Sequence, residues 1–181
     1  GSGKTAVALI SMAIAVEAGG QAALMAPTEV LARQHLETIA PLAEAAGLTI
    51  AVLTGREKGK GREETLKRLA SGEIDILIGT QIVAKGHNFP TLTLVGVVDA
   101  DAGLRGGDLR AGERTFQLLL QVAGRAGRAD KPGRAIIQTY APDSPAIALL
   151  AAGDRDAFIA HEMDQRRIVG FPPFGRLGAI I

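Results

Sequence analysis

The chain alternates short apolar segments with longer amphipathic segments, and this alternation restricts the folds that it can adopt. The amphipathic segments repeat their apolar residues at the three- and four-residue spacing of a helix, whereas the apolar segments have the length of buried strands. Strands that alternate with helices favour a parallel sheet with helices on both faces, and in that class ligands bind at the carboxyl ends of the strands. The predicted strands span residues 21–25, 49–53, 74–78, 92–98 and 134–139, and the predicted helices span residues 6–16, 28–47, 62–71, 112–123, a stretch from 144 and 154–167.

Composition excludes several classes of site. The chain has 181 residues without a cysteine, so disulfides and thiolate metal sites are excluded, and its aromatic content of 3% leaves an aliphatic core. The net charge is +1, so a nucleic-acid surface would have to be local. No apolar run of membrane-spanning length and no signal-peptide pattern is present, and we therefore expect a cytoplasmic protein.

The first residues match the end of the phosphate-binding loop G-x-x-x-x-G-K-[ST], with the start of the loop missing. In such a loop, backbone NH groups cradle the phosphates, the lysine reaches the β- and γ-phosphates and the hydroxyl ligates Mg²⁺. Lys4 and Thr5 would fill the last two roles. The predicted nucleotide-binding residues are Gly1, Ser2, Gly3, Lys4 and Thr5. The alternative is a chance Gly-Lys-Thr, or an expression-tag Gly-Ser, in front of an ordinary helix.

The strand-end segments of the first half resemble superfamily 2 helicases. Residues 26–35 (Ala-Pro-Thr-Glu-Val-Leu-Ala-Arg-Gln-His) resemble the first DNA-contacting motif of these enzymes, and residues 53–55 and 79–80 resemble the next two. Up to about residue 80, the chain is most similar to the RecG branch-migrating helicases. The similar segments include the basic stretch 59–62 and the stretch 72–75.

The second half resembles the primosomal replication-restart helicases of the PriA type. Residues 79–90 are similar to motif V of that family, and Val-Asp-Ala-Asp follows at 98–101. Residues 121–128 (Gln-Val-Ala-Gly-Arg-Ala-Gly-Arg) match its motif VI, and residues 171–174 match its Pro-Pro stretch. Motif VI is the most specific of these signals.

The resemblance implies a RecA-like P-loop NTPase fold, an α/β parallel sheet with helices on both faces, truncated at the N-terminus and followed by a helical C-terminal tail. It divides the chain into a partial first RecA-like domain (1–80), part of a second one (81–141) and a C-terminal helical segment with the start of a further strand (142–181). The Walker B Asp-Glu pair of both families is absent from this sequence. We interpret the chain as a chimeric or internally deleted copy joined near residues 79–80.

The strand that precedes a phosphate-binding loop normally lies near the middle of its sheet, and this chain starts after it. Neighbouring strands would then lose a partner, and the chain is expected to be unstable unless the strand order rearranges. One rearrangement would bring residues 94–98 into the vacant place.

The resemblance also assigns catalytic residues. ATP hydrolysis requires a phosphate cradle with Mg²⁺, an acid, and arginines that neutralise charge on the γ-phosphoryl group. Lys4 would contact the phosphates, Thr5 would ligate Mg²⁺, and Arg125 and Arg128 of motif VI would be the arginines. ATP and Mg²⁺ are thus the expected cofactors.

Two aspartates are candidates for the carboxylate that would hold the metal. Asp99 and Asp101 follow an apolar strand in the manner of a Walker B carboxylate, but no glutamate follows either one. Asp99 is the candidate metal ligand, and an ordinary loop carboxylate is the alternative for both. The histidines His35, His87 and His161 show no metal-binding spacing and are interpreted as surface residues.

A local basic cluster is the candidate DNA-contacting surface. Flexible basic loops can lie on phosphates, and hydroxyls at strand ends can make contacts that do not depend on sequence. The predicted DNA-binding residues are Thr28, Arg56, Lys58, Lys60, Arg62 and Thr80. The alternative is a solvated charged loop.

These observations favour an ATP-dependent DNA helicase, a DNA-stimulated ATPase of replication restart or recombination, present as a partial or chimeric copy. Its expected partners are single-stranded or forked DNA and other replication or recombination proteins, with no membrane. The alternative is a nucleotide- or DNA-binding remnant without turnover. A small P-loop kinase is disfavoured, because motif VI would then be a coincidence.

Overall fold

A computed structural model describes residues 3–80, 89–103, 113, 116–117, 120 and 133–178. The helices are α1 (Lys4–Glu17), α2 (Glu29–Ala45), α3 (Gly59–Ala70), α4 (Pro145–Ala152) and α5 (Arg155–Val169), and Ala100–Gly103 form a 3₁₀ turn. The strands are β1 (Gln21–Met25), β2 (Ile50–Leu53), β3 (Ile76–Gly79), β4 (Leu92–Val97) and β5 (Arg134–Ile137). None of the described helices is both long enough and apolar enough to cross a membrane.

The five strands form one parallel sheet in the order β2-β3-β1-β4-β5. β1 lies at the centre, where Leu24 is in register with Ile78 of β3 on one side and with Gly96 of β4 on the other. Strands from before and after residue 80 therefore share one sheet, and β4 lies beside the central strand β1, as predicted for residues 94–98 if the strand order rearranges. The separate ancestry of the segments 1–80 and 81–141 stays a prediction.

The core lies on both faces of the sheet, because successive residues of each buried strand point to opposite sides. Leu24 and Ile78 face α1 and α2, where Met12 and Ile39 are buried against them. Residues of the other parity face α3, α4 and α5; the buried members of that cluster include Met25, Leu77, Val95, Leu69, Leu150 and Phe158. The two-sided architecture agrees with the predicted fold class.

Some predicted boundaries differ from the observed ones. Helix α3 begins at Gly59, three residues before the predicted start at 62, with Lys58 in extended conformation as its N-cap residue. The strand β3 begins at Ile76 rather than at 74. The predicted apolar end strand does not start in residues 177–178, and 179–181 lie outside the described residues. Most of the predicted helix 112–123 lies outside them too.

Gly79, at the end of β3, is explained by packing between strands. A Cβ atom at this position would collide with the backbone oxygen of Leu53 on the neighbouring strand β2. The amide of Thr80 also donates to that oxygen, at 3.3 Å. The Gly-Thr pair, which resembles a helicase motif, therefore also closes the end of the β2–β3 strand pair.

A buried glutamine joins the amino ends of the strands. The Gln21 side chain is only 3% exposed, and its amide nitrogen donates to the backbone oxygens of Leu69, at 2.8 Å, and Ile74, at 2.6 Å. Its amide oxygen accepts a short hydrogen bond from the hydroxyl of Thr91. Gln21 thereby ties the end of α3 and the segments before β3 and β4 to β1.

We expect Gln21→Ala to lower the free energy of unfolding by about 3 kcal/mol, because it removes the three hydrogen bonds of a buried side chain, to Leu69, Ile74 and Thr91. Urea denaturation followed by circular dichroism measures this change. Gln34→Ala, at an exposed position of α2, is the matched control and should change stability by less than about 0.5 kcal/mol. Equal stability of the two variants would contradict the bridging role of Gln21.

Candidate functional site

The predicted site residues that the structure describes lie near one edge of the sheet, where the parallel strands end; we call it the carboxyl edge. Helices α1, α2 and α3 begin there, since each runs back across the sheet to the start of the following strand. The described site residues near this edge are Gly3, Lys4, Thr5, Thr28, Arg56, Lys58, Lys60, Arg62, Thr80 and Asp99. Gly1, Ser2, Arg125 and Arg128 lie outside the described residues.

Lys4 lies in the first turn of α1 and contacts the end of β4. Its Nζ is 3.1 Å from Oδ2 of Asp99, and both side chains are about one-third exposed, at 32% and 33%. The same ammonium lies 5.7 Å from the ring centroid of Tyr140. Gly3 starts the helix at φ 73° without a side-chain cap, and the first turn holds no acidic residue. The positive end of the helix dipole and the lysine together favour an anion here.

Asp99 has an unusual backbone and an unsatisfied oxygen. Its φ of 56° lies in the left-handed region, which costs a non-glycine residue about 1 kcal/mol or more. The Asp99 amide donates to Oε1 of Gln138 at 2.9 Å, which holds this conformation. Within the described residues, the buried Oδ1 has no hydrogen-bond partner. Such features are concentrated at functional sites, so Asp99 is a candidate ligand-binding carboxylate.

Asp101 has a different role. Its side chain is 6% exposed, and its two oxygens accept from the hydroxyl of Thr139, at 2.7 Å, and from the amide of Tyr140, at 2.8 Å. The carboxylate therefore fixes the turn after β5. The structure therefore gives Asp99 and Asp101 different roles, which the sequence could not distinguish.

His35 lies beside the predicted phosphate-binding residues. Its Nδ1 is 3.4 Å from the hydroxyl of Thr5, and the side chain is half-buried between α1 and α2. Burial lowers the pKa of His35, and the charge of Lys4 lowers it further. The interpretation of His35 as a surface residue was therefore wrong, because the contact between the two helices is tertiary and leaves no local signal. Within the described residues, no group of three or more histidine or carboxylate side chains could hold a metal ion.

The segment after β2 is held in place by hydrogen bonds and ion pairs. Oε2 of Glu57 accepts from the amide of Thr54, at 2.5 Å, and from its hydroxyl, at 2.6 Å. Arg33 contacts Glu57 at 3.0 Å and Glu29 at 3.3 Å, and Arg56 contacts Glu29 at 2.7 Å. Partial burial raises the pKa of Glu57, but the Thr54 hydrogen bonds and the Arg33 charge outweigh it and hold the pKa below its usual value. The predicted basic loop is therefore shorter than expected: residues 54–57 are held by these contacts, and Lys60 and Arg62 already belong to helix α3.

The start of α3 is basic. Lys60 and Arg62 lie in its first turns after Lys58, no acidic residue occupies the first turn, and no side chain caps the helix. Lys58 and Lys60 are exposed. Positive charges next to the positive end of a helix dipole repel it, so a bound anion would stabilise this arrangement.

The two predicted threonines occupy strand ends with different roles. Thr28 is the N-cap residue of α2, and its hydroxyl accepts from the amide of Leu31 at 3.3 Å while the residue stays exposed. Thr80 follows β3 and is half-buried. Both follow strands at the carboxyl edge, and their contacts to DNA stay predictions.

Sequence comparison relates this chain to helicases. Residues 5–130 match the family of helicase conserved C-terminal domains. The replication restart protein PriA of Rickettsia conorii is 52% identical over 118 residues, which are 65% of this chain and 18% of that protein. PriA of Bacillus subtilis is 48% identical over 127 residues, 70% of this chain and 16% of that protein. The chain thus spans less than a fifth of the length of these curated relatives.

Structural comparison gives the same relationship. Domain 2 of the DEAD-box helicase Mss116p, bound to an RNA duplex, has a TM-score of 0.63 and 18% identity, with 83% of this chain and 56% of that chain covered. RecG bound to a three-way DNA junction has a TM-score of 0.57 and 27% identity, with 86% of this chain and 19% of that chain covered. The RecA-like fold and the predicted resemblance to superfamily 2 helicases are confirmed. Which residues resemble RecG and which PriA stays a prediction.

We expect Lys4→Met to raise the pKa of His35, because it removes a positive charge beside the imidazole. The rise should be partial, since burial, the larger cause of the low pKa, remains. NMR titration of the three histidines measures it. Lys67→Met, in the last turn of α3 at the opposite edge of the sheet, is the control and should leave the pKa unchanged.

The same pKa predicts the pH dependence of stability. Because the pKa of His35 is lower in the folded than in the unfolded state, the stability that the neutral imidazole contributes is fully present above about pH 6.5. This contribution to the free energy of unfolding is lost as the pH falls through the pKa of the folded state.

For the Lys4→Met variant, an unchanged pKa of His35 would mean that the lysine is directed elsewhere.

Proposed function

The chain belongs to the family of helicase conserved C-terminal domains, and we propose that it is a partial copy of an ATP-dependent DNA helicase motor of replication restart or recombination. The proposal is supported above all by the Lys4–Asp99 contact, in which the lysine of the proposed phosphate site meets a carboxylate with an unpaired oxygen. Identity of about one-half with PriA proteins supports the assignment to DNA rather than to another substrate of P-loop proteins.

The proposed nucleotide site is the start of α1. The donors there fit a triphosphate: the Lys4 ammonium, backbone amides without a side-chain cap, and the hydroxyl of Thr5. Mg²⁺ prefers hard oxygen ligands, and Thr5 and Asp99 supply two such oxygens. A bound Mg²⁺ would neutralise charge on the phosphates. By resemblance, Arg125 and Arg128 would neutralise charge on the γ-phosphoryl group during hydrolysis.

The proposed DNA surface is the basic start of α3 with the strand ends beside it. Lys58 and Lys60 are exposed next to an uncapped helix terminus, so a phosphate placed there would meet both side-chain charges and backbone amides. Thr28 and Thr80 extend this surface across the ends of β1 and β3. The relevant DNA is single-stranded or forked, as expected for a strand-tracking motor.

A second function is favoured by a specific observation. The Lys4 ammonium and the Thr5 hydroxyl both have protein partners, Asp99 and His35, so nucleotide must displace contacts that already exist. Protein partners on both groups are also expected in a remnant that binds nucleotide or DNA without turnover. Phosphate release stimulated by DNA distinguishes the two functions.

We expect Lys4→Ala to weaken ATP binding at least tenfold, because it removes the main charge on the β- and γ-phosphates. Asp99→Asn should strengthen binding several-fold when no Mg²⁺ is present, because it frees the ammonium from its carboxylate partner. Isothermal titration calorimetry measures both changes. Lys67→Ala, at the opposite edge of the sheet, serves as the control for a general loss of charge.

Equal ATP affinity in the wild type and in Lys4→Ala would overturn the nucleotide site. If ATP binds, a phosphate-release assay with and without single-stranded DNA separates the two functions. Release that DNA stimulates supports the motor, whereas stoichiometric binding without release supports the remnant.

For DNA, we expect weak, sequence-independent binding of a single strand with a steep salt dependence. Lys58→Gln with Lys60→Gln should weaken binding and reduce the slope of log K against log salt by about 1.4, since two phosphate contacts are lost. Fluorescence anisotropy with a labelled oligonucleotide measures the slope. This pair leaves Arg56, which contacts Glu29, in place.

The matched control is Lys67→Gln with Arg68→Gln, which removes two charges from the last turn of the same helix. It should leave the salt slope unchanged. Equal losses in both double variants would show that net charge, not the start of α3, governs binding.

A further inference from the structure

Tyr140 is an exposed aromatic residue at the carboxyl edge. It follows β5, it is 67% exposed, and it is the only tyrosine of the chain. Nothing in the proposed nucleotide or DNA sites uses it. An aromatic ring exposed at the edge where the strand-end residues gather offers a flat apolar surface to a ligand.

The backbone below this ring is fixed from inside the protein. The buried Asp101 accepts from the amide of Tyr140, at 2.8 Å, and from the hydroxyl of Thr139, at 2.7 Å. That hydroxyl also accepts from the amide of Ala141, at 3.0 Å. A buried carboxylate thus holds residues 139–141 in one turn. The ring is exposed, but its attachment is ordered, which lowers the entropy lost when a ligand packs on it.

The ring lies beside the proposed phosphate site. The Lys4 ammonium is 5.7 Å from the ring centroid, within the range of a cation–π contact, and 3.1 Å from Oδ2 of Asp99. A cation and an exposed aromatic surface are therefore adjacent. A ligand that carries an anionic group and a flat ring would contact both at once.

We propose that Tyr140 is a stacking platform for a nucleobase whose phosphates are bound by Lys4. The proposal rests on the proposed function, because it uses Lys4 as the phosphate-binding residue. The occupant is a nucleoside triphosphate, with the base on the exposed part of the ring and the phosphate chain directed to the ammonium. A nucleotide of a single DNA strand has the same chemistry, and the experiment separates these two sources. Stacking tolerates every base, since each has a π face.

The test uses the intrinsic fluorescence of the full chain. The chain contains one tyrosine and no tryptophan, so tyrosine emission reports on Tyr140 alone. The probes are ATP, inorganic tripolyphosphate, which has no base, and oligodeoxythymidylate. ATP should quench the emission and bind about tenfold more tightly than tripolyphosphate. Free N-acetyltyrosinamide, titrated in parallel, corrects for absorption by ATP.

Two variants complete the test, with binding measured by calorimetry. Tyr140→Ala should weaken ATP binding about tenfold and leave tripolyphosphate binding unchanged. Tyr140→Phe keeps the ring and should bind ATP like the wild type. Quenching by the oligonucleotide but not by ATP also supports a stacking platform and assigns the base to DNA.

Other outcomes overturn the proposal. Equal affinity for ATP and tripolyphosphate without quenching would leave the phosphate site in place and remove the stacking role of Tyr140. Quenching by tripolyphosphate equal to that by ATP would show that displacement of Lys4, not stacking, changes the emission. Binding of none of the three probes would overturn both this proposal and the proposed function.

Discussion

The parallel pairing of β4 with β1 is the interaction on which the rest of the structure depends. It supplies the central strand with a second partner, and it joins the residues before position 80 to those after position 89 in one sheet. The same register brings Asp99, which follows β4, to the first turn of α1. Without this pairing, Lys4 and Asp99 would not be in contact. The strand β5, which precedes Tyr140, would have no strand to pair with.

The carboxyl edge is built so that one lysine serves several contacts. Lys4 lies between Asp99 and Tyr140 and its charge also lowers the pKa of His35. The residues that hold these groups are themselves fixed by the protein: Gln138 holds the amide of Asp99, and Asp101 holds that of Tyr140. Hydrogen bonds therefore hold the backbone of the site, whereas the Lys4–Asp99 ion pair is partly open to solvent.

The fold class and most elements could be predicted from the sequence, whereas the side-chain contacts between elements could not. The strand 21–25 was predicted with its observed bounds, because an apolar run stands between two glycines and a proline. The start of α3 was predicted too late, since Gly59 and Gly61 resemble loop residues. The His35–Thr5 contact and the different roles of Asp99 and Asp101 depend on which strands and helices become neighbours. No short sequence pattern indicates which strands and helices become neighbours.

Magnitudes decide whether the Lys4–Asp99 pair prevents nucleotide binding. Both side chains are about one-third exposed, and ion pairs that water reaches are worth about 1 kcal/mol or less. A triphosphate brings several negative charges and accepts charge-assisted hydrogen bonds worth about 1.5–3 kcal/mol each. In the proposed nucleotide site, the phosphates would therefore displace the carboxylate from the ammonium, and the carboxylate would reduce affinity by a factor of about five at most. Once released, Asp99 would offer two oxygens, one of which already lacks a partner, and hard oxygen ligands of this kind suit Mg²⁺.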